Sequence, residues 1–392
     1  FHGALAVIFN RFVAKQPLSF ASLWVVQEWL KTWLFTGFPW LFVGYAYTAQ
    51  PWLTSLAPIF GVLALSFVSV FVSASLVEEK KKKYRYLIPS SVMLLASVAL
   101  WLIAPQWTTP KGTPNLKVSL VQGNIPQDLK WLQEYQIQTL GIYAGLSKTE
   151  WGQDIILWPE SSIPMFQTDA MPFISQIAAQ ARESNSAWLT GIPYVDVINE
   201  YDPKVDKYEP FYNSVIALGA DAKGLYKKQN LVPVGEYIPF EGMLDWALPN
   251  LMSGTMSFRS GSAHPVGVAM CYEVAYPGST RRNAKNTDFL LTVSNDAWFG
   301  TSAGPLQHLQ MVQMRSIETG RWFMRATNTG VTAIINDKGN IVAKAPAFER
   351  TVLRGEIQSR VGNTPFMRWG SYPILALAAL LLLISWLIRK TR

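Results

Sequence analysis

The stretch His264-Pro-Val-Gly-Val-Ala-Met-Cys271-Tyr-Glu273 ends an apolar, strand-like run on the only cysteine in the chain. A single cysteine cannot close an internal disulfide, so it serves packing or reactivity. A thiol becomes an effective nucleophile only when a base or a cation lies close. None of the three histidines stands in an evident relation to Cys271, which turns attention to carboxylates and lysines. Trp158-Pro-Glu160-Ser-Ser sets a carboxylate just past a buried apolar run. Tyr226-Lys227-Lys228 sets lysines ahead of a proline-bounded loop that also carries Glu236 and Tyr237. Each has an ordinary alternative: a solvated carboxylate, a basic surface turn, a core cysteine. All three sit at strand ends, where α/β sheets present functional groups.

Strands and helices alternate around these groups. Apolar strand patterns run over 117–123, 154–158, 187–191, 213–219, 266–270, 289–294 and 331–335. An Asp337-Lys-Gly-Asn340 turn leads into a further strand from Ile341. Helical patterns over 133–147, 172–184 and 305–319 intervene, and the alternation predicts an α/β layered domain. The sequence shows no internal repeat, no metal-ligand spacing of Cys and His, and no phosphate-binding glycine loop. No metal and no cofactor is expected.

Composition points to a membrane. Hydrophobic residues make up 49% and charged residues 15%, against about 25% charged in soluble domains. Sixteen tryptophans fit a bilayer interface. The net charge of +8 does not imply nucleic acid, because its excess lies in Glu78–Arg85 and Arg389–Arg392, both beside apolar runs. Spans are predicted near 56–77 and 87–104, an interfacial or re-entrant segment near 22–48, and a last span from Tyr372 to Ile388. Residues 1–14 read as the tail of a membrane helix, and the expectation is that further N-terminal helices belong before Phe1. Lys and Arg concentrate on the cytoplasmic side, so the 78–86 loop and the C-terminal tail are inside. Residues 110–370 then lie outside the cytoplasm. The expected division is a membrane part, 1–108, a catalytic domain, 109–370, and a C-terminal helix with its basic tail, 371–392.

In this order, Glu160, Lys228 and Cys271 resemble the Glu-Lys-Cys set of the nitrilase superfamily, whose fold is a four-layer αββα sandwich. Longer stretches are similar to the apolipoprotein N-acyltransferase family: Thr36–Trp40, Val121–Pro126, Leu231–Tyr237, Ser294–Gly300, Gln307–Met311 and Arg325–Thr332. The resemblance implies Glu160 as general base, Lys228 rather than its neighbour Lys227 as the lysine, and Cys271 as nucleophile. Glu236 and Glu273 match family carboxylates that either orient the lysine and assist proton transfer or make structural ion pairs. The backbone N–H of Tyr272, directly after the nucleophile, is expected as a second oxyanion donor beside Lys228, and Trp131 matches a family position at the lipid entrance. Tyr237, Phe240 and Trp246 belong to an apolar arm, residues 237–258, expected to meet acyl chains.

The implied fold is this sandwich inserted between transmembrane helices. The implied reaction is two-step transfer of an acyl chain from a phospholipid, commonly phosphatidylethanolamine, to the α-amine of a diacylated apolipoprotein. It proceeds through a thioester on Cys271 in a monomeric, multi-pass protein of the bacterial inner membrane, with the catalytic domain on the periplasmic side. The rival reading is a membrane-anchored nitrilase or amidase that hydrolyses a small amide or nitrile with the same three residues.

Overall fold

The computed structural model describes residues 1–79, 84–196, 211–233, 236, 255–260 and 262–391. The chain begins with helices α1 (His2–Arg11) and α2 (Pro17–Leu30). Pro17 suits the first turn of α2, where its missing N–H costs nothing. Residues 31–50 hold only single 3-10 turns at Leu34–Thr36 and Val43–Tyr47. Then come α3 (Pro51–Thr54), α4 (Ala57–Phe60), α5 (Val62–Glu79) and α6 (Leu87–Ile103).

The uncharged run 56–77, expected as one span, is therefore two helices. Gly61 breaks it with φ +77°, and a Cβ there would stand 2.5 Å from the ring of Phe366. The carboxylate of Glu318 accepts the Val62 amide at 2.7 Å, capping the second helix from another part of the chain.

The region after α6 opens with β1 (Thr108–Pro110), β2 (Leu116–Gln122), α7 (Gln127–Lys130), α8 (Gln133–Ser147) and β3 (Ile155–Leu157). Next are α9 (Gln167–Glu183), β4 (Ala187–Val195), β5 (Phe211–Gly219) and β6 (Gly224–Lys227). They are followed by β7 (Thr255–Ser260), β8 (Ser262–Val268), α10 (Pro277–Asn283), β9 (Phe289–Ser294) and α11 (Gly304–Thr319). The last elements are β10 (Phe323–Thr327), β11 (Ala333–Ile335), β12 (Ile341–Lys344), β13 (Thr351–Ile357), β14 (Arg360–Gly362), α12 (Pro365–Trp369) and α13 (Tyr372–Lys390).

Two six-stranded sheets form, in the orders β13-β2-β3-β4-β5-β6 and β12-β11-β10-β9-β8-β7. Each has a parallel centre, β2-β3-β4 and β8-β9-β10, flanked by antiparallel strands. Central strands covered on both faces must be apolar throughout, and β3 and β9 are buried at every residue. Leu120, Leu157 and Leu189 of the first sheet face Val268, Leu291 and Met324 of the second in one core. Helices α8 and α9 cover the outer face of the first sheet around Trp158 and Trp188. The outer layer of the second sheet, with Leu309 and Val312 of α11, shares a single core with Val25, Phe67 and Phe71 of α2 and α5. The architecture is the expected αββα sandwich, its fourth layer fused to the N-terminal helices.

Residues 255–258, expected in the apolar arm, belong instead to β7, paired antiparallel with β8. The arm positions Tyr237, Phe240 and Trp246 lie outside the described residues. Among the described residues α13 is long and apolar enough to cross a bilayer, whereas α5 and α6 are shorter apolar helices. The start of α5 adjoins the sandwich through Glu318. Away from it, Ser385 meets Ser19 at 2.6 Å, Arg389 donates to Val13, and Tyr86 donates to Gln16.

Candidate active site

Three chain segments leave the sheets along one edge and converge. The β3 strand runs through Trp158-Pro159 to Glu160, which is buried, and the chain turns at Ser161 with φ +48°. Gly191 on the neighbouring β4 lets this turn approach, because a Cβ there would lie 2.6 Å from the Pro159 carbonyl oxygen. Lys228 follows β6, and its amide donates to the Asn213 carbonyl at 2.9 Å. Cys271 lies three residues beyond β8 with φ +48°, where a 3-10 turn begins. A non-glycine residue in that region is strained and persists only where its surroundings hold it.

The ammonium of Lys228 donates to Glu236 Oε1 at 2.7 Å and to Glu160 Oε1 at 3.2 Å. Asn213 Nδ2 donates to the same Glu160 oxygen at 2.8 Å, and the Asn295 amide donates to Glu160 Oε2 at 2.8 Å. Lys130 is fully buried, and its Nζ donates to the Glu160 carbonyl oxygen at 2.9 Å. Burial alone would raise the Glu160 carboxyl, but the two ammoniums and a hydrogen bond from the Cys271 thiol hold it below its ordinary value. Burial also works against charge on Lys228; Glu160, Cys271 and Glu236 more than offset this and keep it protonated. Lys130 has less compensation, and burial pushes it down to about 8. For Cys271, burial reinforced by Glu160 raises the thiol well above its ordinary value, with Lys228 and Ser294 opposing. The resting site is thus a thiol facing a carboxylate, with an ammonium beside both.

The supporting residues divide by role. Glu236 reaches the Lys228 ammonium, and its Oε2 accepts the Val232 amide at 2.8 Å. Glu273 does something else. Its Oε1 accepts the amides of Gln229 and Asn230, and its Oε2 accepts the Met270 amide and the Tyr226 hydroxyl. It ties the backbone after Lys228 to the turn at Cys271, with backbone amides and a tyrosine hydroxyl as its partners. Tyr272 is buried, with its ring stacked on Trp40 at 6.2 Å. Trp131 is 49% exposed, with the Lys130 ammonium 5.9 Å from its ring centre.

Sequence reasoning missed Lys130, Asn213, Ser294 and Asn295, and it set no histidine beside Cys271. His308 Nε2 donates to the carbonyl of Cys271 at 2.9 Å, holding the backbone rather than serving the sulfur as a base. Its Nδ1 faces Asp296 at 3.0 Å, and Asp296 pairs with Arg325 at 2.5 Å. The signal was present, since Ser294–Gly300 and Gln307-His308 are motifs, but nothing local says which member reaches the thiol.

The carbon-nitrogen hydrolase family profile matches residues 117–366. The profile of the apolipoprotein N-acyltransferase N-terminal domain matches residues 1–75. The chain is 37% identical to an apolipoprotein N-acyltransferase of Photobacterium profundum, over 99% of this chain and 77% of that protein. It is 39% identical to those of Pseudomonas putida, over 93% and 73%, and Shewanella oneidensis, over 95% and 74%. Among solved structures it is similar to a nitrilase-superfamily protein of Saccharomyces cerevisiae, at 19% identity and TM-score 0.45, over 65% of this chain and 92% of that one.

Proposed function

The chain belongs to the apolipoprotein N-acyltransferase family, and from that premise we propose how its site performs the last step of lipoprotein maturation. The protein is an acyltransferase, with phospholipid and lipoprotein as its substrates. Glu160, Lys228 and Cys271 carry the reaction. The observation behind this assignment is the Lys228 ammonium, buried between Glu160 at 3.2 Å and Glu236 at 2.7 Å.

In the first half, Glu160 takes the thiol proton while the sulfur attacks an ester carbonyl of the donor, phosphatidylethanolamine in this reading. A raised thiol and a depressed carboxyl mean that thiolate is not stored at rest. Proton transfer therefore accompanies attack, with Lys228 beside both charges. The oxyanion is met by the Lys228 ammonium and the Tyr272 N–H; removing one such donor typically costs ~10²–10³ in turnover. Glu160 returns the proton to the departing lysophospholipid oxygen, leaving a thioester. In the second half the α-amine of the diacylated apolipoprotein attacks the thioester, its proton passes to Glu160, and as the C–S bond breaks and the amide forms Glu160 hands that proton to the departing sulfur, restoring the thiol and the carboxylate. The kinetics should be ping-pong.

The exposed Trp131, with Tyr237, Phe240 and Trp246, would guide acyl chains at the mouth. For topology, the reading is a catalytic domain at the periplasmic face of the inner membrane. In its favour, Arg389 and the chain beside Tyr86 gather at the helix ends remote from Glu318. The protein acts as a monomer in this reading.

The test uses the full chain in detergent with acyl-labelled phosphatidylethanolamine. Label that is released by hydroxylamine should appear on the protein and disappear in Cys271→Ala. Persistence of label in a folded Cys271→Ala protein would refute the acyl-enzyme. Chase with a diacylated peptide should transfer label only if its α-amine is free; release to water instead would favour a hydrolase.

A further inference from the structure

We propose that Ser294 is a further catalytic residue, whose hydroxyl turns from Asp296 to the sulfur of Cys271 as the thiolate forms. This rests on Cys271 being the nucleophile. Ser294 ends β9, fully buried, and strand pairing with Thr327 fixes its position. Its oxygen lies 3.4 Å from Cys271 Sγ and 2.6 Å from Asp296 Oδ1. A serine has one hydrogen to give. At rest the sulfur is a neutral thiol donating to Glu160, and a carboxylate is the stronger acceptor, so that hydrogen belongs to Asp296.

Attack changes the order of acceptors. When Glu160 takes the thiol proton, the S–H bond breaks, an O–H bond forms on the carboxylate, and the sulfur becomes an anion. Rotation about the Cβ–Oγ bond then turns the serine hydrogen toward that anion without moving a heavy atom. Asp296 is not left bare, because Arg325 Nη2 holds its Oδ2 at 2.5 Å and His308 faces its Oδ1 at 3.0 Å. The serine keeps its proton throughout and serves as a donor, not as a base.

The other charged groups facing the thiol make this donor matter. Glu160 and Asp296 both oppose a thiolate, Lys228 favours it, and Lys130 couples to it across the Glu160 turn. Arg325 and His308 stand behind Asp296, with His308 gripping the Cys271 carbonyl, which holds the Cys271 backbone beside the serine. Ser294 is the hydroxyl placed between the sulfur and the second carboxylate.

The chain has one cysteine, so thiol alkylation reports Cys271 alone. Full-length protein in detergent is treated with iodoacetamide from about pH 6 to about pH 10, a range that brackets ordinary thiol ionisation. Ser294→Ala should lower the alkylation rate near neutral pH by ~10–100-fold and move the profile to higher pH, the loss of one hydrogen bond to an anion. Ser294→Thr, which keeps the hydroxyl, should recover most of it. A Ser294→Ala profile superimposable on the parent overturns the proposal, as does equal loss in the Thr variant. Should the Ala protein elute as aggregate, Ser294→Gly makes the same hydroxyl-free comparison. Alkylation needs no lipid, so failure of acyl-labelling would refute the acyl-enzyme while this profile still decides the role of Ser294.

Discussion

Replacing Lys130 with Met should make the protein less dependent on pH for its stability and worse at its chemistry. Lys130 is fully buried, and its ammonium titrates near 8 instead of 10.5 because burial outweighs the attraction of Glu160 and Cys271. A folded-state value below the unfolded one means that the unfolded chain binds more protons across about pH 8–10.5, so stability rises with pH through that window. Below about pH 8 the whole cost is present, roughly 3 kcal/mol for a shift of this size. The Met variant lacks this cost but leaves the Glu160 carbonyl without its 2.9 Å donor, a loss of ~1–3 kcal/mol. Near neutral pH the two effects nearly cancel, and at high pH only the loss remains.

The assay is the thermal midpoint in detergent, with parent and variant compared at each pH so that other groups drop out. The parent should gain on the variant by roughly 5 °C between about pH 8 and 10.5. In acyl-labelling, the variant's acid limb should move to higher pH, because Glu160 loses one of the cations that hold its carboxyl down. Parallel stability curves would refute the argument that Lys130 is a destabilised ammonium kept for the site.

Two further substitutions probe placement. Gly191→Ala puts a Cβ 2.6 Å from the Pro159 oxygen and 2.7 Å from Glu160 Cα, so the base must shift; acyl-enzyme formation should fall about 100-fold, and an unchanged labelling rate would count against this geometry. Glu273→Gln turns an amide N–H₂ toward amides that now find a carboxylate. It should cost about 2–4 kcal/mol, read as a lowered thermal midpoint, with no change in midpoint excluding this role for Glu273.

What the sequence made legible follows from physics that acts locally. The strands of the two parallel centres could be read because burial on both faces leaves apolar runs such as Ile155–Leu157 in β3 and Phe289-Leu290-Leu291 in β9. Helices α8 and α11 fall where periodicity puts them, Gln133–Ser147 and Gly304–Thr319. By contrast, β13 at Thr351–Ile357 lies on a sheet edge with Arg354 and Glu356 exposed and only Ile357 buried, and no apolar run marks it. The break at Gly61 was hidden in a uniformly apolar stretch. It depends on Phe366 and Glu318, more than 250 residues away, which occupy the space and accept the amide that a continuous helix would have used.

The same reasoning explains why the three principal site residues were legible and their support was not. Glu160, Lys228 and Cys271 each end a strand, and a strand end is a local feature. What holds Cys271 at positive φ is assembled from afar. His308 grips its carbonyl, while Tyr45 donates to the Ala275 carbonyl and Tyr276 to that of Gly37. Arg315, on the same helix as His308, reaches Tyr45 in turn. These contacts bind the turn at Cys271 to the loop between α2 and α3 and to α11, whose Glu318 caps α5. The strained turn therefore depends on the N-terminal helices as directly as on the sandwich, and the two share one core from Val25 to Val312. A thiol held this way has its position relative to the helices fixed by packing, as a transfer between two lipid-borne substrates requires.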